Sequence, residues 1–140
     1  MNFFDTSVII AAAQTTSDRY AASSRLIDDA SRRNAACSLH SLAEIYAVLS
    51  GMPRPYRLPQ DAALQIVEQT REIMQIITLT EKEYATTIAS LGNTGLIGGI
   101  VYDALLMQCA RKANAKHIYS WNARHFKLVA PDLASIISTP

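Results

Sequence analysis

The sequence has little of several things that usually decide the class of a small protein. Cysteine occurs twice in 140 residues, at Cys37 and Cys109, with no CxxC and no histidine at metal-ligand spacing. That leaves no zinc site and at most one disulfide, and both thiols read as small buried side chains in a reducing compartment. No apolar run reaches the roughly 18 residues of a membrane span; the nearest, Leu96 to Ala110, is interrupted by Asp103 and Gln108. The opening residues MNFFDTSVIIAAAQTTSD lack a basic n-region and carry Asp5 inside their apolar stretch, so they read poorly as a signal peptide. A soluble, cytoplasmic protein is expected. Charge of one sign is missing too: 13 Lys plus Arg stand against 12 Asp plus Glu, a formal +1. A partner gripped by bulk positive charge would call for more excess. A nucleic acid therefore requires local basic residues or a bound cation.

What is present is a core. Apolar residues make up 49% of the chain, enough to exclude disorder, and the length suits a single domain over residues 1–140. Asn2–Phe4, Ala35–Ser38, Gln75–Leu79 and Lys116–Tyr119 read as short buried strands, with Ser135–Ile137 a weaker fifth. Helical spacing fills the gaps: Leu42, Ile45, Tyr46 and Leu49, then Ala63, Ile66, Val67, Thr70, Ile73 and Met74. Thr80 with Glu83 forms a capping box ahead of Tyr84–Leu91. Alternating strands and helices predict an α/β/α sandwich with a central, mainly parallel sheet of four or five strands. Two loops interrupt the pattern. Met52–Gln60 holds three of the five prolines together with Arg54, Tyr56 and Arg57, and Gly92–Gly99 holds four of the five glycines. The second lacks a GK[ST] ending and is not a P-loop.

Most acids read as solvated helix faces: Asp28, Asp29, Glu68, Glu72, Glu81 and Glu83. Three do not. Asp5 ends the first strand, Glu44 lies within SLAEIYAVL, and Asp103 sits in GLIGGIVYDALLMQCA, the most apolar helical stretch. Asp5 alone reads equally as a helix N-cap, and Glu44 alone as a helix-border residue reaching water. Asp103 has no Lys or Arg one helical turn away, and an unpaired carboxylate in such a helix is costly. Ligands in open α/β sheets gather outside the carboxyl ends of the strands, where all three acids would converge. Three carboxylates there call for a cation, and oxygen-only ligands favour Mg²⁺ or Mn²⁺ over zinc. A phosphodiester hydrolase is the reaction class this suggests, because such a metal lowers the pKa of water and offsets phosphoryl charge. An Asp-x-Asp phosphatase is all but excluded by Ser7, which takes the place of its general acid, and a receiver domain fits poorly because the third strand ends Thr78-Leu79-Thr80.

The segments FFDTSVII, SLAEIYAVLSG and YDALLMQCARKANAKHIYSWNARHF, in that order, resemble a PIN-domain ribonuclease of the VapC type, the toxin of prokaryotic type II toxin–antitoxin pairs. The resemblance covers nearly the whole chain and implies a PIN-like fold. It implies that Asp5, Glu44 and Asp103 are the acidic metal cluster, with Thr6 or Ser7 beside it. Ser120, Asn122 and Phe126 match the family's segment after the fourth strand, where Asn122 offers a carbonyl oxygen; His125 stands at the usual acidic place. The activity implied is metal-dependent cleavage of RNA, transfer or ribosomal, leaving 5′-phosphate and 3′-hydroxyl ends. A homodimer and a small VapB-like antitoxin are the implied partners. Arg54, Arg57, Arg124 and Lys127 are candidates for holding RNA, and Tyr56 and Trp121 for stacking on unpaired bases. The alternative is a PIN-fold module that binds RNA or protein, its catalysis weakened at the fourth position.

Overall fold

Five short strands carry the fold, each placed by side chains that divide between two apolar layers. The computed structural model describes residues 1–140. The strands are β1 (Asn2–Phe4), β2 (Ala35–Ser38), β3 (Gln75–Ile77), β4 (His117–Tyr119) and β5 (Ile137–Ser138). They pair in parallel throughout, in the order β3-β2-β1-β4-β5. Successive residues of a strand face opposite sides, so Phe3 enters one core and Phe4 the other. Ala36 and Ile118 join Phe3, while Ala35, Cys37 and Tyr119 join Phe4. A sheet covered on both faces has no polar side, which is why β1 and β2 read as short unbroken apolar runs.

Seven helices cover those faces: α1 (Thr6–Ala12), α2 (Tyr20–Asp28), α3 (Leu39–Gly51), α4 (Gln60–Ile73), α5 (Glu81–Ser90), α6 (Ile100–Lys112) and α7 (Ala123–Val129). Val8 and Ile9 of α1, Ile45 and Leu49 of α3 and Ala63 of α4 pack with Phe4. Leu106, Met107, Cys109 and Ala110 of α6 pack with Phe3, together with Ala123 and Phe126 of α7. The result is the expected three-layer α/β/α sandwich. Side-chain caps start two of these helices, the second of them the one expected at Thr80. The Ser38 hydroxyl accepts the Ser41 N–H at 3.0 Å and starts α3. Thr80 and Glu83 make the reciprocal capping box, which starts α5 at Glu81.

Three boundaries differ from the sequence reading. β3 stops at Ile77 rather than Leu79, and β4 begins at His117 rather than Lys116. The fifth strand occupies Ile137–Ser138, because a 3-10 turn beginning at Pro131 runs through Ile136 and takes up Ser135. Within the glycine-rich loop, Gly95 and Gly98 adopt φ of +72° and +71°, and a side chain there would meet open space. These glycines turn the chain rather than admit a close ligand. Both cysteines are buried and free, and no helix is long and apolar enough to cross a membrane.

The strand order carries the functional consequence. The chain moves one way from β1 to β2 to β3, then returns to add β4 and β5 on the other side of β1. The reversal between β1 and β4 opens a crevice at their carboxyl ends. Asp5 follows β1 there, Ser120 to Asn122 follow β4, and Glu44 follows β2 on α3. Since α6 runs back to feed β4, its first turn, with Asp103, lies at the same end. Truncating the fully buried Ile45 to Ala is expected to lower stability by about 2–5 kcal/mol. Thr80→Ala, which removes one cap, is expected to cost about 1 kcal/mol; urea unfolding of both variants measures the difference.

Candidate active site

The β1–β4 crevice is a cavity of about 190 Å³ lined by Asp5, Glu44, Asp103 and Asn122, with Thr6 and Ser7 also in its wall. Four of its polar residues therefore come from four different elements or their ends, which only the sheet's topology brings together. Asp5 occupies the N-cap position of α1 but makes no capping hydrogen bond with its side chain. Its Oδ2 instead accepts two hydroxyls, from Ser7 and, at 2.7 Å, from Ser120. Each serine is itself anchored by the loop after β4: the Trp121 N–H donates to Ser7 Oγ at 3.1 Å, and the Asn122 N–H to Ser120 Oγ at 2.9 Å. Oδ1 accepts no side-chain hydrogen bond and is the oxygen left for the cavity that Asp5 lines.

Glu44 is held differently. Thr6 Oγ1 donates to its Oε2 at 2.6 Å, and the other oxygen lies 3.9 Å from His40 Nε2. Asp103 makes no ion pair, and its surroundings disfavour its charge. Burial pushes its carboxyl above the ordinary value, the negative charge of Asp5 adds to this, His125 works against it, and Glu44 raises it further. Asp5, only 5% exposed, is likewise raised by burial; the Ser7 and Ser120 hydroxyls counter that rise, and Glu44 adds to it. The chain's Lys and Arg ion pairs all lie elsewhere, as Arg71–Glu68, Arg111–Asp132 and Lys112–Glu83. The cavity thus concentrates negative charge that no Lys or Arg side chain pairs with.

The remaining candidates fall outside the cavity wall. His125 is exposed on the first turn of α7, near enough to Asp103 to affect its charge. Arg124 and Lys127 are exposed on the same helix, and Arg54 and Arg57 on the proline-rich loop, where Arg57 Nε donates to the Met52 carbonyl at 2.8 Å. Trp121 is tied down rather than free to stack. Its indole N–H donates to Ser23 Oγ at 2.9 Å, and Arg19 covers its ring. Phe126 is core, 1% exposed. Arg111 and Lys112, in the last turn of α6, are ion-paired to Asp132 and Glu83. Two residues escaped the sequence reading. Ser120 lay within a noticed motif but had no assigned task, and Arg19 sits in a polar loop with no pattern to mark it.

An acidic cavity at the switch point of a parallel sheet defines a class of α/β protein, and comparison with known proteins narrows it. The family profile described as PIN domain matches residues 3–130. Ribonuclease VapC27 of Mycobacterium tuberculosis is 34% identical over 113 residues, 80% of this chain and 78% of that protein. The crystal structure of VapC20 of Mycobacterium tuberculosis, a sarcin–ricin loop cleaving toxin, matches with a TM-score of 0.71. The two are 17% identical, over 89% of this chain and 92% of that one. VapBC2 of Rickettsia felis, solved with a DNA fragment from its promoter, matches with a TM-score of 0.67 at 22% identity. That match covers 99% of this chain and 98% of the other. The chain belongs to the PIN-domain family, among the VapC-type ribonucleases.

The donors in the cavity suit a hard divalent cation: carboxylate and amide oxygens, with no thiol or imidazole in the wall. As the side chains stand, no three of the acidic, histidine or cysteine residues converge tightly enough to share one ion. Three like charges repel, and Glu44 is drawn to Thr6. Convergence on an ion would require side-chain movement within the cavity, not a change of fold.

The raised carboxyls make a prediction about stability. A carboxyl raised above its ordinary 3.8 binds protons more tightly in the folded protein than in the unfolded chain. Its contribution to stability therefore falls as pH rises through the ordinary and then the raised value. Glu83, lowered to about 2 by Lys112, and Asp132, lowered by Arg111, act in the opposite sense and are common to wild type and variant. Asp103→Asn is expected to raise Tm in chelator, by more at neutral than at mildly acidic pH. Thermal unfolding at the two pH values measures this, and an equal gain at both would mean that charge is not the cause.

Proposed function

We propose that the protein is a Mg²⁺- or Mn²⁺-dependent endoribonuclease toxin, a single PIN domain acting in the cytoplasm on transfer or ribosomal RNA. One observation carries the reading: Asp5, Glu44 and Asp103 line one small cavity with Asn122, and no Lys or Arg side chain pairs with them. A divalent cation bound there would supply an acidified water and a counter-charge for the phosphoryl oxygens. Asp5 Oδ1, the Asp103 carboxylate and Glu44 are the side chains that would hold it, with the Asn122 carbonyl oxygen alongside. Ser7 and Ser120 fix Asp5 by its other oxygen, which leaves Oδ1 aimed without conformational search, the usual task of groups behind a ligand. Thr6 does the same for Glu44. Arg54, Arg57, Arg124 and Lys127 would meet backbone phosphates.

The partners follow from the same charge. An antitoxin of the VapB kind would insert a basic side chain into the acidic cavity, and a homodimer would present two such cavities. Membership among VapC-type proteins supports both. His125, exposed where the family carries an acid, favours a second reading in which the chain binds RNA and cuts it weakly. His125→Asp would then restore cutting.

Cleavage of end-labelled RNA tests the proposal. Cutting is expected with Mg²⁺ or Mn²⁺ and not with EDTA. Asp5→Asn and Asp103→Asn are each expected to reduce it by about 100-fold or more while circular dichroism shows the fold retained. Undiminished cutting in EDTA, or in both variants, would remove the metal mechanism.

A further inference from the structure

A larger cavity adjoins the acidic one. Its volume is about 740 Å³, within the range of about 300–1,000 Å³ common for small-molecule sites. The loop between α1 and α2 and the proline-rich loop after α3 enclose it, with Gln14, Ser17, Asp18, Arg19, Met52 and Tyr56 in its wall. Ser7 and Ile10 line both cavities, so the two meet along α1. Anything whose phosphate lay in the acidic cavity would have its neighbouring group at this entrance.

The wall is chemically mixed in a way that narrows its ligand. Arg19 lies over the Trp121 ring, 4.9 Å from the centroid, and forms no ion pair. Stacking fixes the plane of its guanidinium while its N–H donors stay free. Gln14 Nε2 donates to the Tyr56 carbonyl at 3.3 Å and approaches Met52 Sδ at 3.6 Å. That braces the proline-rich loop against α1 and leaves the Gln14 oxygen as a free acceptor. Asp18 is exposed and makes no ion pair, and Tyr56 is 53% exposed. A phosphate alone would want donors only, and an apolar ligand would want neither. Acceptors, donors and an aromatic ring together match the edge and face of a nucleobase.

We propose that this cavity is a nucleobase subsite, taking the unpaired base of the nucleotide beside the scissile phosphate. Tyr56 supplies the stacking face, Gln14 and Asp18 accept from the base edge, and Arg19 donates to the edge or to the flanking phosphate. The inference rests on the ribonuclease reading and adds to it a source of sequence selectivity.

Trp121 is the only tryptophan of the chain, and its emission reports on Arg19. In EDTA, the protein is titrated with AMP, GMP, CMP and UMP, and with ribose 5-phosphate as the base-free control. At least one nucleotide is expected to change the emission saturably, and ribose 5-phosphate is not. Tyr56→Ala is expected to weaken that binding about five-fold or more, each variant being compared with its own starting emission. Tyr56→Phe restores it, Arg19→Lys weakens it, and Arg33→Ala, on a distant surface, leaves it unchanged. With Mg²⁺ and single-stranded RNA, the base preference beside the cut is expected to flatten in Tyr56→Ala and Arg19→Lys. Equal binding of ribose 5-phosphate, or indifference to both substitutions, overturns the subsite. Nucleotide binding as expected without any RNA cleavage keeps the subsite and removes the ribonuclease reading. Cleavage whose base preference ignores both substitutions does the reverse.

Discussion

A carboxylate almost out of reach of water, at the end of the central strand, is the constraint on which the rest of this structure turns. Asp5 is 5% exposed, and burial works against its charge. Two serine hydroxyls from different parts of the chain answer that cost at one oxygen, and the backbone of the loop after β4 holds both serines in turn. The same bonds that stabilise Asp5 therefore fasten β1 to β4 at the point where the sheet order reverses. A stability device and a positioning device are one set of hydrogen bonds, and the free oxygen faces the cavity as a consequence.

The near equality of 13 basic and 12 acidic residues hides an uneven distribution. On the surface, Arg71, Arg111 and Lys112 pair with Glu68, Asp132 and Glu83. In the crevice, Asp5, Glu44 and Asp103 face one another with only histidines near them. Exposed pairs of the first kind contribute little to stability. Concentrated negative charge of the second kind destabilises the fold that contains it, and a site that carries such a cost is commonly a functional one. Net charge is silent about both, because it sums over positions.

Beside the acidic cavity, α1 separates two kinds of chemistry: carboxylate oxygens on one side, and a mixed wall with an aromatic and a stacked guanidinium on the other. Ser7 and Ile10, one helical turn apart, belong to both. A helix of seven residues thereby forms a wall common to both cavities, held at its start by the hydrogen bonds around Asp5 and just past its end by the Gln14 contacts to the proline-rich loop.

Much of this was legible in residues alone. The strands and the helices α3 to α6 followed from local pattern, since a parallel sheet covered on both faces demands short apolar runs and helices demand a 3.6-residue period; α2 and α7 were not marked by it. Asp103 was conspicuous because a carboxylate in an apolar helix conflicts with its surroundings, and such conflicts are visible without coordinates. The start of the fifth strand was not, because Pro131 begins a turn that runs through Ile136 and whose length depends on packing. Ser120 and Arg19 were not either: a serine after a strand and an arginine in a polar loop look ordinary until Asp5 and Trp121 arrive beside them. Trp121 looked available for a ligand and proved anchored by Ser23 and covered by Arg19. Most elements and the charges out of place were visible in the residue pattern, because both depend on neighbours within a few residues. Which oxygen of Asp5 is left without a side-chain partner, how the two cavities join along α1 and which arginine covers Trp121 were settled by the folded chain alone. Those depend on contacts between residues as far apart as Asp5 and Ser120, and no local pattern encodes them.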